Sequence, residues 1–113
     1  MTGITSHVLD TSQGKPGVGI AITLERMDAP SSHWIDVGQG ITNDDGRVGD
    51  LAADGVVAGD YRISFAVAEY FKSQQATAFY PSIRIEFTVL DPAQHYHVPL
   101  LLNPFGYSTY RGS

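Results

Sequence analysis

Alternation of apolar and polar residues with a period of two is the feature of this sequence that most limits its fold. It is clearest at 83–89, where Ile83, Ile85, Phe87 and Val89 alternate with polar neighbours, and it recurs at 18–24, 61–67 and 96–102. Such alternation places the apolar side chains on one face of a β-strand and the others on the opposite face. The sequence therefore predicts four half-buried strands.

Weaker strand patterns raise the predicted total to about eight. They lie at 4–10, 34–42, 47–51 and 105–111, and turn residues separate the segments. Strands at this spacing are typical of a two-sheet sandwich or a barrel. Only 66–75 has the composition of a helix, and it is short. We expect residues 1–113 to form one all-β domain with one short helix.

The charge and the cysteine content limit the binding partners and the kinds of site that this chain can have. Charged residues make up 17% of the 113, the net charge is −5, and there is no Cys. A negative chain is poorly suited to bind nucleic acid or an anionic membrane. Disulfides and thiolate metal sites are excluded. The low charge also suggests that part of the surface is buried against other copies of the chain.

The length of the apolar runs and the nature of the first residues indicate the cellular location of the protein. No run approaches the ~18 residues that span a bilayer, and the start lacks the basic and apolar regions of a signal peptide. On these grounds we expect a cytoplasmic protein.

Histidines and one arginine are the residues that could carry chemistry. His95 and His97 lie two apart on a predicted strand, so both face away from the core-facing Tyr96. They could bind Zn or Cu with a third ligand, act as an acid and a base, or be ordinary surface residues. His7, near the N-terminus, is bland by itself. Arg47 follows a strong turn and is either a surface residue or a guanidinium that grips a carbonyl or anion.

The C-terminus, 103–113, is rich in aromatic and hydroxyl side chains rather than in the solvating residues of a loose tail. We expect this segment to be held against the domain. No nucleophile elbow, phosphate loop, dinucleotide fingerprint or His-Glu-x-x-His motif is present.

Five motifs, in order along nearly the whole chain, resemble the 5-hydroxyisourate hydrolases of the transthyretin-related family. They are His7-Val8-Leu9-Asp10-Thr11, Gly14-Lys15-Pro16, Thr42-Asn43 with Asp45-Gly46-Arg47, the run from His95 to Leu102, and Tyr107 to Ser113. The final Tyr110-Arg111-Gly112-Ser113 is the hallmark that separates these hydrolases from hormone-carrying transthyretins. Two departures are mild: Asn103 stands where Ser is common, and Phe105 where Tyr is common.

The resemblance implies a fold, an assembly and a reaction. The fold is an eight-stranded, transthyretin-like two-sheet sandwich, and the assembly is a homotetramer with active sites at a subunit interface. The reaction is hydrolytic ring opening of 5-hydroxyisourate to a ureidoimidazoline carboxylate in urate degradation, with no cofactor and no metal. The implied catalytic residues are His7, Arg47, His97 and Ser113, and the implied substrate-binding residues are Tyr110, Arg111 and Gly112.

Our mechanistic hypothesis from the sequence gives each group a task. His97, with His7 close by, positions and deprotonates the attacking water, and Arg47 stabilises the developing negative charge. Crowding by Arg47 and the second imidazole would keep the base neutral. The hydroxyl of Ser113 or the terminal carboxylate would relay a proton. The division of labour between the two histidines stays open at this level.

Two other functions are compatible with the fold. A transthyretin-like carrier would hold a hydrophobic ligand in the channel of the assembly, but the two histidines and the arginine make the site polar. A structural module like the repeat domains of bacterial surface adhesins would share the sandwich without catalysis. Those domains lack the strand that carries His97 and the Tyr-Arg-Gly-Ser ending.

Overall fold

The structure is a computed structural model that describes residues 3–112. Within this range the chain forms nine strands and one helix. The elements are β1 (Gly3–Asp10), β2 (Lys15–Pro16), β3 (Ala21–Asp28), β4 (His33–Ile41), β5 (Arg47–Val48), β6 (Gly59–Phe65), α1 (Val67–Ser73), β7 (Ile83–Val89), β8 (His95–Asn103) and β9 (Gly106–Thr109).

The strands form two sheets. One has the order β2-β1-β8-β9, with β5 also paired to β1, and the other has the order β4-β3-β6-β7. The pairing of β1 with β8 is parallel, and it joins the two ends of the chain in one sheet. The other strand pairs are antiparallel. The all-β, two-sheet architecture predicted from the sequence is confirmed.

The core contains most of the apolar side chains that the period-two pattern assigned to the inner faces; the exception is Val18, which is exposed, and Ile85 and Phe87 are only partly buried. The largest fully buried side chains include Tyr61, Phe65, Ile4, Ile22, Leu24, Ile63, Ile83 and Leu100. Removing such side chains from water is the dominant favourable term in folding. The core therefore fixes the outward direction of the alternate side chains, among which the candidate site lies.

Some strand boundaries differ from the prediction. The strand predicted at 18–24 is β3, and it begins at Ala21 rather than at residue 18. Gly19 has a φ of 78°, which interrupts an extended chain. Ile20 is nevertheless buried, as its place in the pattern suggests. The segment predicted at 47–51 is only two residues long as β5, and Lys15–Pro16 adds a short strand.

The helix α1 is fixed to the sandwich on its inner side. Val67, Tyr70 and Phe71 are buried at helical spacing. The Tyr70 hydroxyl donates a 2.6 Å hydrogen bond to the carboxylate of Asp10, which is fully buried at the end of β1. This hydrogen bond connects the helix to the strand that carries His7.

In the part of the chain that the structure describes, no helix is long and apolar enough to cross a membrane.

Candidate active site

His95 and His97 project from the same face of β8. Their neighbours Tyr96 and Val98 are buried in the core, so the strand turns both imidazoles outward, as the alternation predicts. The rings lie nearly parallel, with centroids 6.5 Å apart and 14° between their planes. Both residues are half-buried.

Thr5 joins the two imidazoles. It stands opposite His97 in the parallel register of β1 and β8. Its Oγ1 lies 2.8 Å from His97 Nδ1 and 3.0 Å from His95 Nε2. Thr5 is not among the site residues predicted from the sequence, although the pattern of β1 places it on the same face as His7. The missing information is the pairing of two strands that lie some ninety residues apart.

Arg47 is placed by the turn that precedes it. The Asn43 side-chain oxygen accepts hydrogen bonds from the backbone amides of Asp45, at 2.9 Å, and Arg47, at 3.0 Å. Gly46 has a φ of 74°, which a residue without a Cβ adopts most easily. The turn delivers Arg47 into β5 directly opposite His7 on β1.

A hydrogen bond of His7 shows which of its two ring nitrogens carries the hydrogen when the ring is neutral. Its Nε2 lies 3.0 Å from the backbone oxygen of Asp45. A carbonyl oxygen only accepts, so Nε2 must carry hydrogen. A neutral His7 therefore has its lone pair on Nδ1, and this nitrogen is the one able to accept a proton.

The C-terminal segment contacts the strand of the histidines. The Gly112 amide donates a 2.8 Å hydrogen bond to the carbonyl oxygen of His97. Thr109 Oγ1 donates to the Pro99 carbonyl at 2.8 Å. The expectation that this segment is held against the domain is confirmed as far as Gly112. Ser113, a predicted catalytic residue, lies outside the described residues.

Arg111 and Tyr110 face elsewhere in this chain. The Arg111 guanidinium lies 4.3 Å from the ring centroid of Tyr96 and donates to the side chain of Gln94 at 2.9 Å. Tyr96 belongs to the inner face of β8, opposite to the imidazoles of His95 and His97. Tyr110 is largely exposed. Within one chain, these two side chains border an apolar cavity beside Tyr96 rather than the site of His97.

A cleft of about 370 Å³ collects the functional side chains. We call it the His97 cleft. Its lining residues are Thr5, Ser6, Asn43, Arg47, Val48, Gly49, His95 and His97. His7 stands beside it through its pairing with Arg47. Two imidazoles and a guanidinium give the cleft hydrogen-bond donors and one fixed positive charge, which suit a substrate rich in carbonyl groups.

The surroundings of His97 favour its neutral form. Burial lowers the pKa of His97 below the ordinary value of 6.5, and the positive charge of Arg47 lowers it further, followed by His7 and His95. The crowding by Arg47 and a second imidazole agrees with the expectation from the sequence, whereas burial, the larger cause, has no signal in the sequence. A neutral imidazole at pH 7 can accept a proton on one nitrogen and donate from the other.

A metal site needs a third ligand beside His95 and His97. Among residues 3–112, no group of three or more His, Cys, Asp or Glu side chains is placed to hold a metal ion. Thr5 stands where the two imidazoles converge, and its hydroxyl is a hydrogen-bonding partner for both.

Comparisons with known proteins agree with the sequence motifs. Residues 4–112 match the model of the HIUase/Transthyretin family. The chain is 40% identical over 111 residues to a mouse protein named 5-hydroxyisourate hydrolase, covering 97% of this chain and 94% of that one. A Caulobacter vibrioides protein of the same name is 38% identical over 117 residues, with both chains covered completely.

Solved structures share the fold. The structure of 5-hydroxyisourate hydrolase from Klebsiella pneumoniae superimposes with a TM-score of 0.85 at 30% identity, covering 97% of this chain and 98% of that one. Sea bream transthyretin in complex with thyroxine superimposes with a TM-score of 0.89 at 28% identity, covering 96% and 93%. The family match spans nearly the whole chain and the relatives that cover it exceed 30% identity, so this chain belongs to the HIUase/Transthyretin family.

Proposed function

We propose that this chain is a hydrolase that opens the six-membered ring of 5-hydroxyisourate to give 2-oxo-4-hydroxy-4-carboxy-5-ureidoimidazoline. One observation carries the proposal: Arg47 and His97 line a single polar cleft, and His7 is paired with Arg47 across β1 and β5. Relatives that match nearly the whole chain are named for this activity.

The reaction makes three demands on a site. Water attacks a cyclic, amide-like carbonyl, so a base must take a proton from the water. The carbonyl oxygen gains negative charge, which donors or a cation must stabilise. The ring nitrogen must then receive a proton as the C–N bond breaks. The His97 cleft supplies His97 and Arg47 for these tasks, and His7 stands at its border.

Arg47 is the group suited to the developing charge. Its side chain is exposed at the cleft and its backbone is held by the Asn43 turn, so the planar guanidinium can meet substrate oxygens in a fixed place. His97 and His7 share the two remaining tasks, which are the proton transfer and the orientation of the reacting groups. The lowered pKa of His97 keeps that ring neutral at pH 7.

The C-terminal residues complete the proposed site. Gly112, the last of the described residues, is bound to His97 through its backbone. We assign Ser113 or its carboxylate to a proton relay and not to covalent attack. Gly112 is assigned to the wall of the site, and Arg111 anchors the segment to Gln94 and to the Tyr96 ring. Substrate binding by Tyr110 and Arg111 requires the interface between copies, because within one chain both side chains border the cavity beside Tyr96.

A carrier function is less well supported by the His97 cleft. Pockets for hydrophobic ligands are predominantly apolar, with few polar groups. Here His95, His97 and Arg47 are among the lining residues, and polar groups that a hydrophobic ligand leaves without hydrogen bonds cost binding energy.

We also propose that four copies assemble. Several large apolar side chains are exposed on the single chain, among them Leu90, Phe105 and Tyr110, which are 84%, 68% and 58% exposed. Apolar surface of this kind is typical of interfaces between subunits. Sedimentation should give a mass four times that of the 12.2 kDa chain, and an active monomer would contradict the assembly.

The product identifies the reaction. Urate oxidase generates ¹³C-labelled 5-hydroxyisourate in the sample. ¹³C NMR then follows the labelled carbonyl carbon as the ring opens. We expect the ureidoimidazoline carboxylate to form faster with this protein than in buffer. Unchanged kinetics together with a protein-bound, intact substrate would favour the carrier.

A further inference from the structure

The Thr5 hydroxyl lies between two imidazoles that point at it from the same strand. Thr5 Oγ1 is 2.8 Å from His97 Nδ1 and 3.0 Å from His95 Nε2. We propose that Thr5 is a positioning residue, whose hydroxyl accepts a hydrogen bond from His95 and donates one to His97, and so holds neutral His97 with its hydrogen on Nε2. The role in catalysis rests on the function proposed above.

Counting hydrogens restricts the arrangement. A hydroxyl has one hydrogen, so Thr5 can donate to only one of the two rings and must accept from the other. In one arrangement His95 Nε2–H donates to Thr5, and Thr5 donates to His97 Nδ1. In the other the direction is reversed, and His97 Nδ1 carries the hydrogen.

The surroundings of His95 decide between them. Its second nitrogen, Nδ1, is buried and has no hydrogen-bond partner among residues 3–112. The reversed arrangement would put a hydrogen on this nitrogen and bury an N–H group without an acceptor, which folded proteins rarely tolerate. The first arrangement leaves a bare nitrogen there. It therefore places the hydrogen of His95 on Nε2 and that of His97 on Nε2.

The direction of this chain of hydrogen bonds sets the chemistry of His97. With Nδ1 accepting from Thr5, His97 presents an N–H donor and has no lone pair free to act as a base. A neutral imidazole can stabilise a developing oxyanion by donating a hydrogen bond. His97 then shares this task with Arg47, the positively charged donor of the lining. This assignment differs from the sequence hypothesis, in which His97 deprotonates water.

His7 is left as the base. Its Nε2–H is occupied by the Asp45 carbonyl, and its Nδ1 has the lone pair. The step then balances: the water oxygen bonds to the carbonyl carbon, its proton goes to His7 Nδ1, the C–N bond breaks, and the same proton passes to the ring nitrogen. The carboxylic acid that forms loses its remaining proton to solvent.

Nitrogen NMR of the ligand-free protein tests the tautomer without any substrate. Long-range ¹H–¹⁵N spectra distinguish a protonated from a bare imidazole nitrogen. At a pH where His97 is neutral, we expect its Nε2 to be protonated and its Nδ1 bare in the wild type. A wild-type spectrum with the hydrogen of His97 on Nδ1 would overturn the proposal, and this result needs no variant to fold.

Three variants test whether the hydroxyl is responsible. Thr5→Val removes it at nearly constant shape, Thr5→Ser keeps it, and Thr23→Val makes the same change at an exposed position of β3. We expect Thr5→Val to mix the His97 tautomers and to lower kcat about five- to tenfold with little change in KM, as suits the loss of one hydrogen bond. Thr5→Ser should restore both readouts, and Thr23→Val should alter neither.

The outcomes separate this proposal from the proposed function. Unchanged His97 tautomers in Thr5→Val, or altered tautomers with wild-type kcat, would overturn the role of Thr5 while hydrolysis stands. A wild-type protein that does not accelerate decay of 5-hydroxyisourate would overturn the function, whereas the NMR result on the free protein would be unaffected.

Discussion

Gly112 lies so close to the His97 ring that no side chain fits between them. A Cβ on Gly112 would be 2.7 Å from His97 Cδ2 and 3.3 Å from Pro99 Cγ. The 2.8 Å hydrogen bond from the Gly112 amide to the His97 carbonyl prevents the segment from moving aside freely. The glycine of the C-terminal tetrapeptide is thus required by its contact with a proposed catalytic residue.

Gly112→Ala should therefore displace the His97 imidazole and lower kcat. We expect a loss of at least about tenfold, because small misplacements of a catalytic group have large kinetic effects. The matched control is Gly106→Ala in β9, where a Cβ would meet the nearest atom at 3.7 Å. Equal kcat in the two variants, measured from hydroxyisourate decay, would contradict the steric account.

Arg47→Ala and His97→Asn should each remove most of the turnover. Loss of a donor to the developing oxyanion costs about 100-fold or more in kcat. Arg47 is exposed, so its replacement should leave the circular dichroism spectrum unchanged. Arg84→Ala and His33→Asn make similar changes at exposed positions and should retain full activity. Near wild-type turnover in either site variant would refute the assignment.

The surroundings of His97 predict the direction in which the titration of its imidazole is shifted. Burial and the positive charge of Arg47 lower its pKa below 6.5. The titration of His97 followed by NMR should accordingly have its midpoint below 6.5. Arg47→Ala should move the midpoint of the titration upward, since one positive neighbour is gone. A wild-type midpoint at or above 6.5 would contradict this account.

The same pKa shift affects stability in a defined direction. The unfolded chain, with the ordinary pKa, binds a proton to His97 more readily than the folded chain does. The free energy of unfolding should consequently decrease as the pH falls through the interval between the two pKa values. Urea unfolding of wild type and His97→Asn across this interval measures the contribution, because the variant lacks it.

The hydrogen bond between Tyr70 and Asp10 should contribute to stability and not to turnover. Burial by itself would raise the pKa of Asp10, but hydrogen bonds from Ser12, Tyr70 and Gln13 stabilise the carboxylate and hold the pKa below 3.8. Tyr70→Phe should lower the free energy of unfolding by about 1–3 kcal/mol at pH 7. Exposed Tyr107→Phe serves as the control.

Acid should reduce the difference between wild type and Tyr70→Phe. The folded pKa of Asp10 is depressed, so its contribution is present above the unfolded value of 3.8 and is lost as the pH falls through the lower folded value. An equal difference in the free energy of unfolding at acidic and neutral pH would argue against a role for the carboxylate charge. A large fall in kcat of folded Tyr70→Phe would argue against a purely structural role.

The faces of the strands could be predicted from the sequence, because a half-buried strand has a strict period of two. This pattern turns His95 and His97 outward and buries Tyr96 and Val98, as observed. The turn residues that begin at Asn43 likewise predict that a strand starts at Arg47. These local patterns depend only on neighbouring residues, so they can be recognised in the sequence without a structure.

The cross-strand relationships could not be predicted in this way. The hydrogen bonds of Thr5 depend on the parallel register of β1 with β8, and periodicity carries no information about register between distant strands. The direction of Arg111 depends on packing against the Tyr96 ring, which its place in the C-terminal motif does not reveal. Burial as the main cause of the lowered His97 pKa is also a property of the assembled fold.

The rate of 5-hydroxyisourate decay at limiting protein tests the central claim most directly. Substrate made by urate oxidase is mixed with protein at a small fraction of its concentration, and the ultraviolet absorbance is followed. A catalyst converts many equivalents per chain, so we predict complete decay at a rate proportional to protein concentration, with His97→Asn close to the buffer rate. Decay that is no faster than in buffer, or substrate bound and protected in proportion to the protein added, would contradict the hydrolase and support a carrier.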